Sequence, residues 1–239
     1  MKNHLRVLMG ALCVVGTLGA NAQLLKNAQS VLQKGVGTSL SQEDAASGIK
    51  EALTKGVSKG VEMLSKQDGY LGDAEIKIPF PSEAKAMEDK LRAIGLGDKV
   101  DEVVVSVNRA AEDAAIKAKD IFVSAIKGMT VTDAVNIVKG SDNAATQYLQ
   151  TNTTSELTTQ FTPVIQESLE KVDATKYWAD VVNTYNKIPM VKKMNPNLTE
   201  YVTQQAISGL FVKIAQEEKE IRKNPAARTS SLLKKVFGS

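Results

Sequence analysis

One histidine and one cysteine are found in 239 residues, and both, His4 and Cys13, fall in the opening stretch "MKNHLRVLMGALCVVGTLGANAQ". Lys2 and Arg6 lead into an apolar run from Val7 to Leu18, and Ala20 and Ala22 are small residues of the kind a signal peptidase reads. The pattern predicts a secretory signal over residues 1–22, removed after Ala22. The run is too short to cross a bilayer core, which takes about 20 residues of helix, and no other stretch is continuously apolar for that length. Leu12 stands before Cys13 where lipidation needs a small residue. The expectation is an exported chain, periplasmic or secreted, with no transmembrane segment after cleavage.

Removing residues 1–22 leaves no His and no Cys, and each loss excludes chemistry. Without Cys there is no disulfide, thiolate nucleophile or Cys-rich zinc site. Without His the usual proton carrier near neutrality is gone, and with it the zincin, Cys–His and Ser–His–Asp mechanisms. No metal and no cofactor is expected. Cleavage also removes two of the 30 basic residues and none of the 27 acidic ones. Charge of the two signs is then nearly balanced, which argues against a nucleic-acid partner.

One motif pair suggests an enzyme. Ser82-x-x-Lys85 and Ser141-Asp142-Asn143 match two of the three signatures of serine–lysine penicillin-recognising enzymes. The first recurs at Ser47–Lys50, Ser124–Lys127 and Ser231–Lys234, and the third, Lys-Thr-Gly, is absent. Ser82 and Ser141 are read instead as helix N-caps, since each opens a helical run after Pro or Gly.

What is abundant is helical periodicity. From Ser41, the residues Ile49, Leu53, Val57, Val61 and Leu64 recur at spacings of three and four, beside a second stripe of Gly48, Ala52, Gly56 and Gly60. Glycine costs about 1 kcal/mol relative to Ala inside a helix, so the second stripe predicts a neighbouring helix. A loop or extended excursion follows over residues 67–81, then a short helix ending at Gly95. The face Val100, Val103, Val107, Ala111, Ala114, Ala118 and Ile121 predicts one long central helix. Shorter units follow at "TVTDAVNIVKG", "SDNAATQYLQTN" and "TSELTTQFTPVIQESLEKV", the last broken or kinked at Pro163. Tyr177 and Trp178 are adjacent and must diverge by about 100°, one inward and one outward. Asn197 and Glu200 form a capping-box-like start for a helix that Pro225 ends. The reading is all-α: a single-domain bundle over residues 23–239 of about eight to ten helices, with 23–40 and 225–239 as peripheral terminal helices. The basic tail "SLLKKVFGS" reads as a docked last helix or a weak membrane-surface segment.

On the central helix, Val105, Arg109, Glu112 and Ile116 share the side opposite Val107. Such a helix is apolar on two sides with charge between, which leaves Arg109 and Glu112 partly buried and paired at i+3. Two roles suit them. One is a buried ion pair tying the helix to "DNAATQY". The other is a pocket in which Asn108, Arg109 and Glu112, with Thr146 and Tyr148, hold an anionic or amide-bearing ligand, since the guanidinium fork matches carboxylate or phosphate.

The segments "LRAIGLG", "VNRAAEDA", "AIKGMTVTDA" and "AATQYL" resemble, in order and spacing, an uncharacterised bacterial family known as domain of unknown function 4197. Val107 stands where that family often has Met. The resemblance covers roughly Leu40 to the C-terminal helix and implies an all-helical exported protein with no assigned activity. The function expected is therefore non-enzymatic binding of a small anionic ligand or an envelope protein. The alternatives are a hydrolase or lyase built on Glu112 and Arg109, or peripheral attachment to a membrane through the tail.

Overall fold

A computed structural model describes residues 41–187, 189–190 and 193–228, together with 230, 231, 234 and 236. These belong to one compact unit, Leu40–Ser239. The predicted signal and the helix expected over 23–40 lie outside the described residues.

Among the described residues there are eight α-helices and no strand. Helix α1 (Gln42–Leu64) starts where Ser41 accepts a hydrogen bond from the Asp44 N–H, and buries Ile49, Leu53, Val57, Val61 and Leu64. After the excursion, a short 3₁₀ turn (Ser82–Ala84) leads into α2 (Lys85–Ala93), which ends as predicted at Gly95, in the left-handed region at φ +82°. Then come α3 (Gly97–Ala115), α4 (Ala118–Gly128), α5 (Val131–Lys139), α6 (Ala144–Glu170), α7 (Ala174–Tyr185) and α8 (Leu198–Lys223). Helix α8 begins as expected, with Asn197 accepting from the Glu200 N–H.

Three expectations change. The helix predicted to run past residue 118 divides at Ile116 and Lys117, where the backbone tightens to an i→i−3 bond from the Lys117 N–H to the Ala114 carbonyl. The division changes partners: α3 packs on α2, α6 and α8, whereas α4 packs on α1 and α6. Conversely, the pieces predicted between Ser141 and Val172 are one 27-residue helix, α6, with Pro163 inside it. Proline there costs roughly 3 kcal/mol, and burial offsets it. Ala145, Leu149, Thr153, Leu157, Phe161, Ile165 and Leu169 are all buried at a spacing of four. Each four-residue step turns the stripe by about 40°, so it winds round the helix and meets α3, α4, α5, α7 and α8 in turn. The central helix of the bundle is therefore α6. Finally, neither serine is an N-cap. Pro81 precedes the 3₁₀ turn that Ser82 opens, and Asn143 holds the α6 cap position while Ser141 Oγ donates to its Oδ1 at 2.9 Å.

The small-residue stripe of α1 meets a neighbouring helix. A Cβ built on Gly56 would sit 3.6 Å from Glu217 Cβ and 3.8 Å from Ile221 Cδ1 of α8, an ordinary contact. Trp178 turns inward, edge-on to Phe80, and donates to the Asn195 carbonyl, while Tyr177 is 62% exposed. In the tail, a second 3₁₀ turn spans Pro225–Ala227 and Val236 is buried. Its other apolar residues, Leu232, Leu233 and Phe237, lie outside the described residues.

No single described helix is long and apolar enough to cross a membrane. Helices α4 and α5 together would be, but they meet at a 103° bend. Both bury residues in the core, Phe122 and Ile126 from α4 and Ala134 and Ile137 from α5.

Candidate functional site

Five residues were marked by the sequence, and the structure places them in three surroundings. The first is the excursion between α1 and the 3₁₀ turn. It has no strand to pair with, yet Ile76, Ile78 and Phe80 are buried in strand-like alternation. Buried backbone needs partners, and side chains of α3 supply them. Asn108, fully buried, accepts the Ile78 N–H on Oδ1 at 2.8 Å and donates from Nδ2 to the Ile78 carbonyl at 2.8 Å. It thereby does for Ile78 what a neighbouring strand would do.

One turn further along α3, Glu112 is 4% exposed. Its Oε1 accepts the N–H groups of Tyr70 and Leu71 at 3.1 and 3.2 Å, and its Oε2 accepts from Arg109 Nη1 at 2.6 Å. Arg109 reaches outward to Asp68 Oδ1 at 2.8 Å. Contact with these two carboxylates, Glu112 first, raises the guanidinium pKa further above its ordinary value. The i+3 pair predicted from spacing is present, and it ties α3 to the turn at Asp68–Leu71, not to "DNAATQY".

That turn is anchored again from α8. Tyr70 is wholly buried, and its hydroxyl donates to the Ala206 carbonyl at 2.7 Å. Burial, and secondarily the charge of Glu112, pushes the phenol pKa well above its usual value. The ring lies so close to α8 that a Cβ on Gly209 would come within 2.9 Å of Tyr70 Cε1 and 3.2 Å of Ile76 Cβ. Tyr201 donates to the Pro79 carbonyl, and Lys213 pairs with Asp73.

Thr146 lies in the second surrounding, where α5 ends and α6 begins. The α6 cap residue Asn143 makes no side-chain cap. Glu218 of α8, 7% exposed, caps the helix instead, taking the N–H groups of Ala145 and Thr146 at 3.0 and 2.8 Å and the Thr146 hydroxyl at 2.7 Å. A carboxylate at a helix N-terminus also meets the positive end of the helix dipole. Arg222, one turn on, pairs with Glu218 at 2.9 Å and donates to the Ile137 carbonyl at the end of α5. The sequence did carry a signal for this pair, the i+4 spacing of Glu218 and Arg222, but an exposed helical pair reads the same way.

Tyr148 is the third. It is half-buried on α6 beside Asp133 of α5, and burial first, then that negative charge, raises its pKa. Asn108, Arg109 and Glu112 are thus brought together, and Thr146 and Tyr148 are not joined to them. Arg109 stands between two carboxylates, so the site has no uncompensated positive charge to offer an anion. Glu112 has each carboxylate oxygen already engaged. Among the described residues no three carboxylates or imidazoles converge as metal ligands would.

A different feature is open to ligands. Between α6 and the first half of α8 runs a groove of about 520 Å³, lined mainly by Thr, Gln, Asn and Glu. Thr203 lines it at 2% exposure, and its hydroxyl has no hydrogen-bond partner.

The model of a family described as "Protein of unknown function (DUF4197)" matches residues 39–238. The chain belongs to this family. No curated protein and no solved structure matches it. For this DUF4197 protein, function therefore rests on its own geometry.

Proposed function

We propose that this DUF4197 protein is exported and works by binding, not by catalysis. The observation that carries the reading is the groove between α6 and α8. Its volume of about 520 Å³ lies within the ordinary range for small-ligand sites, and the side chains along it, all Thr, Gln, Asn or Glu, present hydrogen-bonding groups beside their own carbon surface. Export is supported by the pattern of residues 1–22. The alternative of a hydrolase or lyase built on Glu112 and Arg109 loses its support, because general acid–base work needs a carboxylate free to meet substrate. Glu112 is occupied by Tyr70, Leu71 and Arg109. An anionic ligand at Arg109 is disfavoured for the reason already given, its two carboxylate partners.

The test is to express the full chain in a bacterial host, recover it from the exported fraction, and take intact and native mass spectra. The reading expects a chain lacking Met1 to Ala22 and a small molecule retained under native conditions. A chain with residues 1–22 intact in the cytosolic fraction would overturn export. Absence of any retained molecule, together with no thermal shift across a library of metabolites, would overturn small-ligand binding.

A further inference from the structure

Asp68 and Gly69 are joined where α1 gives way to the excursion, and the turn asks for each of them on different grounds. Asp68 lies in the left-handed region at φ +66°, which Asp and Asn tolerate better than other side chains. A Cβ on Gly69 would come within 2.5 Å of the Met63 carbonyl oxygen and 2.6 Å of that of Leu64, so only glycine fits. Of the 16 glycines in the chain, Gly69 alone follows Asp or Asn.

This pairing is chemically labile. The Asp68 carboxyl lies one carbon from the backbone, and glycine, having no side chain, leaves its own nitrogen open to approach. Attack of the Gly69 nitrogen on Asp68 Cγ forms a new C–N bond and closes a succinimide ring. The proton of that nitrogen leaves with a carboxyl OH as water. Water then adds back to open the ring at one of its two carbonyls. Cleavage of the new C–N bond restores aspartate. Cleavage of the original peptide bond leaves isoaspartate, of unchanged mass, with the chain running through the former side chain.

The ring closes only if the 68–69 peptide turns to bring its nitrogen onto Cγ. In the folded protein every reacting group is held. The Gly69 N–H donates to the Lys66 carbonyl at 3.0 Å, and the carbonyl of the same peptide, that of Asp68, accepts the Gly72 N–H at 2.9 Å. A peptide group is rigid and planar, so bonds at both of its ends fix its orientation. Arg109 Nη2 holds the carboxylate through Oδ1 at 2.8 Å. The next two amides, of Tyr70 and Leu71, are taken by Glu112. The Asp68 side chain is 55% exposed, so water for the second step has free access. Closure of the ring is therefore the step the fold controls.

We infer that Asp68–Gly69 is a latent site of isoaspartate formation, held shut by its doubly bonded peptide and by Arg109. Reaction is confined to the moments when the turn opens, so its rate follows the open fraction. Conversion adds one atom to the backbone and moves the carboxylate, which breaks the contact with Arg109 and shifts the Tyr70 and Leu71 amides away from Glu112. A single modification would thus unlatch the excursion from α3.

Ageing of the purified protein at neutral pH, folded or unfolded in guanidinium, tests this. Isoaspartate at position 68 is measured by peptide mapping and by methylation with a protein isoaspartyl methyltransferase. The unfolded chain should accumulate it, and the folded protein should do so at least about tenfold more slowly, the effect of roughly 1.4 kcal/mol of opening free energy. Arg109→Ala should raise the folded rate several-fold and leave the unfolded rate unchanged, while the amides of the α6 core stay protected from exchange. That protection separates a loosened turn from global unfolding. Asp68→Asn, which closes the same ring by expelling ammonia, should show the same contrast as a gain in mass. Equal rates in the folded and unfolded protein would overturn the lock, and no isoaspartate in the unfolded chain would overturn the site. A folded rate unmoved by Arg109→Ala would overturn the part assigned to Arg109.

Discussion

Glu112 Oε1 accepts the backbone N–H of Tyr70 at 3.1 Å, across 42 positions of sequence. A carboxylate that looks like half of a helical ion pair is thus first a receptor for the backbone of a loop. The distinction has energetic consequences. Replacing a plain buried ion pair by apolar residues of similar volume is often neutral. Here that replacement would leave the buried Tyr70 N–H and the part-buried Leu71 N–H without their acceptor, at about 1–3 kcal/mol for the buried one.

Chemical denaturation of three variants separates the two descriptions. Arg109→Ala should cost only about 1 kcal/mol, because the guanidinium is one-third exposed and Glu112 keeps its backbone partners. Glu112→Ala should cost about 2–5 kcal/mol by leaving the Tyr70 and Leu71 N–H groups without their acceptor, while Arg109 keeps Asp68. The double variant Arg109→Met with Glu112→Leu should recover little of that loss. Full recovery would mean that the two side chains do no more than neutralise each other.

Glu218 holds the start of α6 from another helix. Glu218→Ala should lower stability by about 3–5 kcal/mol, since it removes the carboxylate that faces the buried Arg222 guanidinium and the cap of the Ala145 and Thr146 N–H groups. A capping residue closer in sequence does not replace it, because Asn143 is already at the cap position and makes no such bond. A loss below 1 kcal/mol would show that α6 needs no cap.

Two glycines give opposite expectations for the same substitution. Gly56→Ala should stabilise by about 1 kcal/mol, because the added methyl meets Glu217 and Ile221 at ordinary contact distance and the helix gains propensity. Gly209→Ala brings the same propensity but drives a methyl against the buried ring of Tyr70, so a net loss of about 1–3 kcal/mol is expected. Thermal denaturation of the two variants checks the pair.

Tyr70 predicts a pH dependence on the alkaline side. Burial raises its folded pKa above the usual value of about 10. A raised folded pKa means stability that is fully present below the unfolded pKa and falls as pH climbs above it. Stability should therefore decline above about pH 10, with Tyr70 ionising only as the chain unfolds, seen as phenolate absorbance tracking loss of helix. Tyr70→Phe should remove that component of the decline at the cost of about 1 kcal/mol for the bond to the Ala206 carbonyl.

Helical class, the excursion, the Gly95 stop, the Asn197 cap and the divergence of Tyr177 from Trp178 were legible because each depends on a few adjacent residues; which of the two aromatics turns inward was not. The continuity of α6 was not. Its apolar stripe repeats every four residues and winds round the helix, so in any short window the threonines and Pro163 outweigh it. Of the candidate site, the Arg109–Glu112 pair could be read from spacing, since i+3 neighbours on a helix meet whatever surrounds them. Its duty could not, because the partners that define it, Asp68, Tyr70 and Leu71, are brought up by tertiary folding. The Glu218 cap and the groove depend in the same way on how α8 lies against α6, which no local pattern encodes.

The clamp of α3 on the excursion is tested most directly by residue-resolved hydrogen exchange on the wild type, Asn108→Leu and Glu112→Ala. In the wild type, the amides of Tyr70, Leu71 and Ile78 should exchange only by global unfolding, as slowly as the core of α6. Glu112→Ala should release Tyr70 and Leu71, and Asn108→Leu should release Ile78, each while the α6 core stays protected. Rapid exchange of these three amides in the wild-type protein would contradict the account.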